Sequence, residues 1–241
     1  MDEYKFLNIP QGCEVKNTVF KKLFYENADI SVIDKVIFIE VIKKITWLYC
    51  LKTENTNIQP YKDETREYVE IEFIEVELND DKRLNRMAEI IMRTIPYPMV
   101  LVFRLTDNLK FFVAHQRNNL NDSSKNTLEE LISTDWVDIE SRLLKKLNIQ
   151  TMRFSNFYNL YSDIVDVISI YNVSDINIDT TSITGAEARL LSAELKDIEQ
   201  QIATLRAKLK TETQFNRKME LNIEIKRLER TKIKFLGGNK L

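Results

Sequence analysis

The sequence predicts an α+β fold: a small, mostly antiparallel sheet with packed helices, followed by a C-terminal α-helical coiled-coil arm. Strand-like runs alternate with stripes of helical period over residues 1–178. Two of those runs, PMVLVFRL and LKFFVAHQ, flank the turn signal Thr106-Asp107-Asn108 and read as a hairpin. From Leu191 apolar residues instead recur at alternating steps of four and three, which places the arm at residues 185–236.

FKKLFYE (residues 20–26) is the most ordered part of the opening segment. Ser31 and Asp34 make a helix start, since a side-chain oxygen there satisfies a free amide of the first turn. The helix is expected to run through residues 32–51. Its apolar residues Val36, Ile37, Ile39, Val41, Ile42, Ile45 and Leu48 form a stripe wide enough for a largely buried helix, and TENTNIQP breaks it.

The strand EYVEIEFIEVELND (residues 67–80) changes phase midway. Val69, Ile71 and Phe73 hold odd positions, whereas Ile74, Val76 and Leu78 hold even ones. A β-bulge, or cover on one side and then the other, explains the slip. Glu75 is expected to pair with a basic residue or to face water.

DKRLNRMAEIIMRTI reads as a helix stopped by Pro96 and Pro98, and QRNNLNDSSKN (residues 116–126) as a surface loop. TDWVDIESRLLKKLNI holds a short helix with Thr134 or Asp135 as its cap, and FSNFYNLYSDIVDVISIY is a third major helix. YNVSDINIDTTSITG is a polar connector, and Thr184, Gly185 and Glu187 open the arm. There Leu191, Leu195, Ile198, Ile202, Leu205 and Leu209 keep heptad spacing, which fails at Glu212 and Asn216 and resumes out of phase at Leu221, Ile225 and Leu228. The phase failure favours two helices folded back as a hairpin. The absence of Gly or Pro at the break favours one helix of about 75 Å. The hairpin is the expected form.

Scarcities narrow the chemistry. The single histidine, His115, and the four scattered glycines supply neither a phosphate-cradling loop nor a dinucleotide turn. Cys13 and Cys50 with one distant histidine do not make a zinc site, so no metal and no cofactor is expected. The two cysteines read as reduced, the start has no secretory h-region, and no run is apolar enough to span a membrane, so a cytoplasmic protein is expected. Residues 185–241 carry 13 Lys+Arg against 8 Asp+Glu, a net of +5, and the other 184 residues carry 22 against 29, a net of −7. An acidic body with a basic arm is the pattern for a polyanion or an acidic partner.

Glu70, Glu72, Glu75 and Glu77 on one strand are the acids a metal-dependent nuclease would use, with Glu75 and Glu77 as candidate catalytic residues. Glu–X–Lys occurs, for example, at Glu14–Lys16, Glu194–Lys196 and Glu224–Lys226, but not after Glu75 or Glu77, and Glu14 lies outside any convincing strand. His115 is a third catalytic candidate at a strand end. Trp47, Tyr49 and Trp136 could stack on bases, but such aromatics belong more often to a core. The arm gives the strongest binding signal. Its candidates are Arg206, Lys208, Lys210, Gln214, Phe215, Arg217, Lys218, Lys226, Arg227 and Arg230, in a stretch to Lys234 with ten cations against four acids.

FKKLFYE, ITWLYCLKTENTNI, IEFIEVEL, IPYPMVLVFRL, STDW and KLKTETQFNRKMELNIEIKRLE, in that order, resemble the prokaryotic domain-of-unknown-function family 4391. That resemblance implies company with helicases and DNA methyltransferases in restriction-like or anti-phage settings, and it carries over no catalytic residue. Cys50 stands where a polar or basic residue is expected. The expectation is a non-catalytic accessory protein of a nucleic-acid-processing complex, its arm touching nucleic acid or a protein partner. A divalent-metal nuclease using residues 70–77 is the alternative, and an oligomer built through the coiled coil is the third reading.

Overall fold

The computed structural model describes residues 4–27, 30–118, 126–174 and 182–235. It divides into two compact units, Met1–Ile168 and Ser169–Leu241.

The first unit begins with β1 (Glu14–Thr18), α1 (Lys22–Asn27) and α2 (Val32–Val41). Ser31 caps α2 by accepting the Asp34 amide at 3.1 Å. Asp34 itself is buried and gripped by the guanidinium of Arg86 at 3.0 Å, whose hydrogen bond holds the carboxyl below its ordinary pKa.

The expected long helix stops at Val41, and residues 42–52 form a strand, β2 (Ile42–Lys52). The helical stripe over Ile42, Ile45 and Leu48 misled because ITWLYC is β-branched and aromatic, a composition that favours a pleated, covered surface. The backbone turns at Ile42 itself, which adopts φ −84° and ψ 120°.

There follow α3 (Thr53–Thr56), a short hairpin of β3 (Tyr61–Lys62) and β4 (Glu67–Tyr68), then β5 (Glu70–Leu78), α4 (Leu84–Thr94), β6 (Met99–Leu105) and β7 (Asn108–Val113). The expected surface loop is partly ordered as β8 (Gln116–Asn118) paired with β9 (Asn126–Leu128); residues 119–125 of that reading lie outside the described residues. β10 (Ile132–Ser133) and β11 (Val137–Asp138) both pair with β7. The helix expected at Thr134 or Asp135 starts later, as α5 (Arg142–Lys146), with the Ser141 hydroxyl accepting the Leu143 amide. α6 (Phe157–Val173) closes the α+β part, and the division between the units falls inside it.

The main sheet runs β1-β2-β5-β6-β7-β10, and all its pairings are antiparallel except β5 with β6. That one parallel pair is joined by α4, as a crossover requires. One face buries Ile74, Val76, Leu78, Leu101, Phe103 and Phe112 under Phe24, Phe38, Met87, Ile90 and Ile91 of the helices. β5 is central and covered on both faces, so every residue from Ile71 to Val76 is buried.

The phase slip is thereby explained. β5 alternates without interruption, its register with β6 running unshifted from Glu72–Met99 to Glu77–Arg104. The bulge lies across the ladder in β2, where Trp47 faces Ile74 and Tyr49 faces Phe73, leaving Leu48 as the extra residue. Glu70, Glu72, Ile74, Val76 and Leu78 share one face; Ile71, Phe73, Glu75 and Glu77 share the other.

The second unit contains α7 (Gly185–Thr211) and α8 (Phe215–Phe235). Thr184 and Glu187 form a reciprocal capping box at the start of α7. Of the connector before it, residues 175–181 lie outside the described residues. The phase break at residue 212 is a real interruption. Glu212 accepts the Thr213 and Gln214 amides at 2.8 Å each, which lowers its pKa. α8 then returns antiparallel to α7 with Ile202, Ile225 and Leu228 buried between the two. Arg206–Glu229 and Lys232–Glu199, each at 2.7 Å, tie the helices in that register. The arm is a helical hairpin.

Candidate functional site

The hairpin sorts its cations by angle. An α-helix turns about 100° per residue, so Leu221, Ile225 and Leu228 point to α7 while Phe215, Met219 and Ile223 point away from it. Those three are 74 %, 49 % and 64 % exposed. Lys226, Arg227, Arg230 and Lys234 fall within the same outward sector, and Ile223 lies with all four along one shallow groove. No acid shares the sector; Glu220, Glu224 and Glu229 lie to its sides. Arg227 leans onto Glu224 at 2.7 Å. No ion pair joins Lys226, Arg230 or Lys234 to another described residue.

The other sequence candidates scatter. Arg206 is engaged by Glu229. Lys208 and Arg217 line a groove together with Glu212, Glu220 and Glu224, so their charge is locally balanced. Lys210, Gln214 and Lys218 are exposed near the turn. Lys234, absent from the sequence candidates, joins the cationic face. Its signal was present in the spacing 226, 230, 234, one turn apart each time.

The acidic strand separates into two sites. Glu75 is buried, and its carboxylate lies 3.0 Å from the Nε of Arg104 while accepting the hydroxyl of Tyr4. Glu77 binds Arg104 and Lys43, both at 3.0 Å, and the Lys43 contact lowers its pKa. Both candidate catalytic acids are therefore paired with cations, which for Glu75 is the first of the two outcomes expected.

Glu72 sits on the opposite face, buried, accepting the indole N–H of Trp47. Burial pushes its carboxyl up to about 8. Cys50 is its register partner across the ladder, Glu70 faces Lys52, and the donor atoms of Cys50, Glu70 and Glu72 lie within 4.8 Å of one another. Burial, with Glu72 and Glu70 nearby, pushes the Cys50 thiol up to about 12. This cluster escaped the sequence reading because it needs the β2–β5 register, which the long-helix expectation concealed. Glu14 lies in edge strand β1, contrary to expectation, and pairs with its own Lys16 at 2.8 Å.

Kinship is decided by one comparison: the family described as domain of unknown function (DUF4391) matches residues 7–231. The chain belongs to the DUF4391 family. No curated protein and no solved structure matches it. The match extends through the sheet, α7 and most of α8, so the hairpin is part of the DUF4391 domain itself.

The remaining DUF4391 candidates pack rather than project. His115 places Nδ1 2.9 Å from the Tyr68 hydroxyl, and its ring is surrounded by Tyr68, Tyr158 and Tyr161 at centroid distances of 5.5–6.2 Å. The Tyr161 hydroxyl, also buried, binds the Met99 carbonyl at 2.8 Å. Tyr49 is buried, Trp47 is half-buried over Glu72, and Trp136 packs on the core.

Proposed function

We propose that this DUF4391 protein is a non-catalytic accessory component of a nucleic-acid-processing complex of the restriction-like or anti-phage type, and that its coiled-coil arm binds nucleic acid. The observation that carries the reading is the outer face of α8, where Lys226, Arg230 and Lys234 recur once per turn with no acid in that sector, Glu229 lying to its side. Cations one turn apart track a phosphate backbone without reading bases, and each one engaged releases counterions. The acidic body would leave that contact to the arm and offer its surface to a protein partner, a helicase or methyltransferase in the family setting.

The test is a gel-shift series on duplex DNA, single-stranded DNA and RNA with the full chain. A variant combining Lys226→Gln, Arg230→Gln and Lys234→Gln is expected to bind at least tenfold more weakly at low salt. A control with Lys5→Gln, Lys52→Gln and Lys145→Gln on the body should bind as the parent does. Equal affinity of the arm variant and the parent would refute the reading.

The alternative, a divalent-metal nuclease, has the Cys50–Glu70–Glu72 cluster in its favour. Against it stands the chemistry of the donors: a thiol held up to about 12 is a poor ligand for hard magnesium or manganese ions. Glu75 and Glu77 are committed to Arg104. No plasmid cleavage is expected in magnesium or manganese. Cleavage lost in Glu72→Gln but kept in Glu77→Ala would move the function to that cluster. An oligomer built through the arm has least support, because the seam residues already cover one another.

A further inference from the structure

We propose that the outer face of α2 is a self-association surface through which two copies of this chain pair. The inference is independent of the nucleic-acid reading, since it concerns a different unit.

α2 buries Asp34, Phe38 and Val41. Its opposite side carries Val32, Val36 and Ile39 at helical spacing with Ile33 beside them, and these are 80 %, 47 %, 46 % and 63 % exposed. None of the four belongs to the buried core. Lys21 reaches the carbonyl oxygens of Ile39 and Ile42, which brings the start of α1, with Phe20 at 76 % exposure, to the same end of α2. A surface helix is thus as apolar outside as inside.

Three features fit a second copy. Together the five side chains expose on the order of 600 Å², the upper end for a monomer's largest apolar patch. Two such patches face to face would remove about 1,200 Å² from water, the threshold of a specific interface. The rim carries both signs: Lys22 pairs with Glu26 at 3.3 Å, α2 contributes Lys35 and Glu40, and the Lys21 ammonium is engaged by the Ile39 and Ile42 carbonyls. A polyanion or an anionic membrane would call for excess cations there, whereas a surface that meets its own copy must carry no net repulsion. Finally, four of the five side chains are β-branched, so their ordering at an interface forfeits little rotamer freedom. A twofold axis near Val36 would set each α2 against its copy in the isologous arrangement commonest among dimers.

Sedimentation velocity of the full chain should show a monomer–dimer equilibrium in the micromolar range expected of a small interface. Val36→Lys and Val36→Glu, both exposed and neutral to folding, should each weaken dimerisation at least tenfold, because each sets like charges together at the axis. Mixing the two variants should restore a heterodimer, which a merely destabilised protein would not do. A chain that stays monomeric at the highest concentration overturns the proposal. A dimer unaffected by Val36→Lys, or one lost instead on Ile223→Lys in the arm, overturns it too.

Discussion

The central acidic strand separates charge by face, and its most unusual member is Glu72. An ordinary Glu carboxyl titrates at 4.5, and burial pushes that of Glu72 up to about 8. Between those values the folded state holds a proton that the unfolded state has lost, so stability falls as pH rises through that window. Each pKa unit corresponds to about 1.4 kcal/mol. Asp34 and Glu77, held below their ordinary values, produce the opposite slope, but only in more acidic solution. The parent should lose Tm between pH 5 and 8, and Glu72→Gln should remove that loss and leave the variant the more stable protein at pH 8. Identical pH–Tm curves for the two would contradict this account of the site. At this scale the sequence was informative about Glu75, whose pairing with a cation was one of the two outcomes expected. It was silent about Glu72, because nothing in EIEFIE distinguishes a desolvated carboxylate from a paired one.

At the level of elements, hairpin β6–β7, helix α4, helix α6 and the capping box at Thr184 were legible, since each carries a local signal: a turn, a proline stop, an apolar stripe, a cap. β2 was not. Ile42, Ile45 and Leu48 satisfy a helical stripe and a covered strand equally, and what decides between them is the partner β5, far away in sequence. The Phe73–Ile74 slip is one of composition, not of geometry: β5 alternates without interruption and is covered on both faces, and the bulge lies in β2. The hairpin of the arm was legible from the heptad break. Its seam is small, three buried side chains with two ion pairs across them. Leu228→Asp buries an unpaired carboxylate there and should cost about 3 kcal/mol of local stability. Hydrogen exchange of the α8 amides should accelerate sharply while amides of β5 and β6 stay protected. Uniform acceleration in both places would mean that the arm does not open as a unit of its own.

Across the whole molecule, the acidic body and basic arm were visible in the charge count, but the binding face was not. Counting ten cations over residues 206–234 includes Arg206 and Lys232, which tie α8 to α7, and Lys208 and Arg217, which lie among acids. The helix angle sets Lys226, Arg230 and Lys234 apart on one outward face; Lys210 and Lys218, exposed too, lie near the turn. On the body, α2 exposes an apolar side, contrary to the largely buried helix expected from the stripe over residues 36–48. The central claim is the polyanion contact of α8, and the salt dependence of duplex DNA binding tests it most directly. Each phosphate engaged contributes about 0.9 to the slope of log affinity against log salt. Replacing Lys226, Arg230 and Lys234 together by glutamine should lower that slope by about 2 to 3 units. An unchanged slope in the variant, or no DNA binding by the parent chain even at low salt, would contradict it.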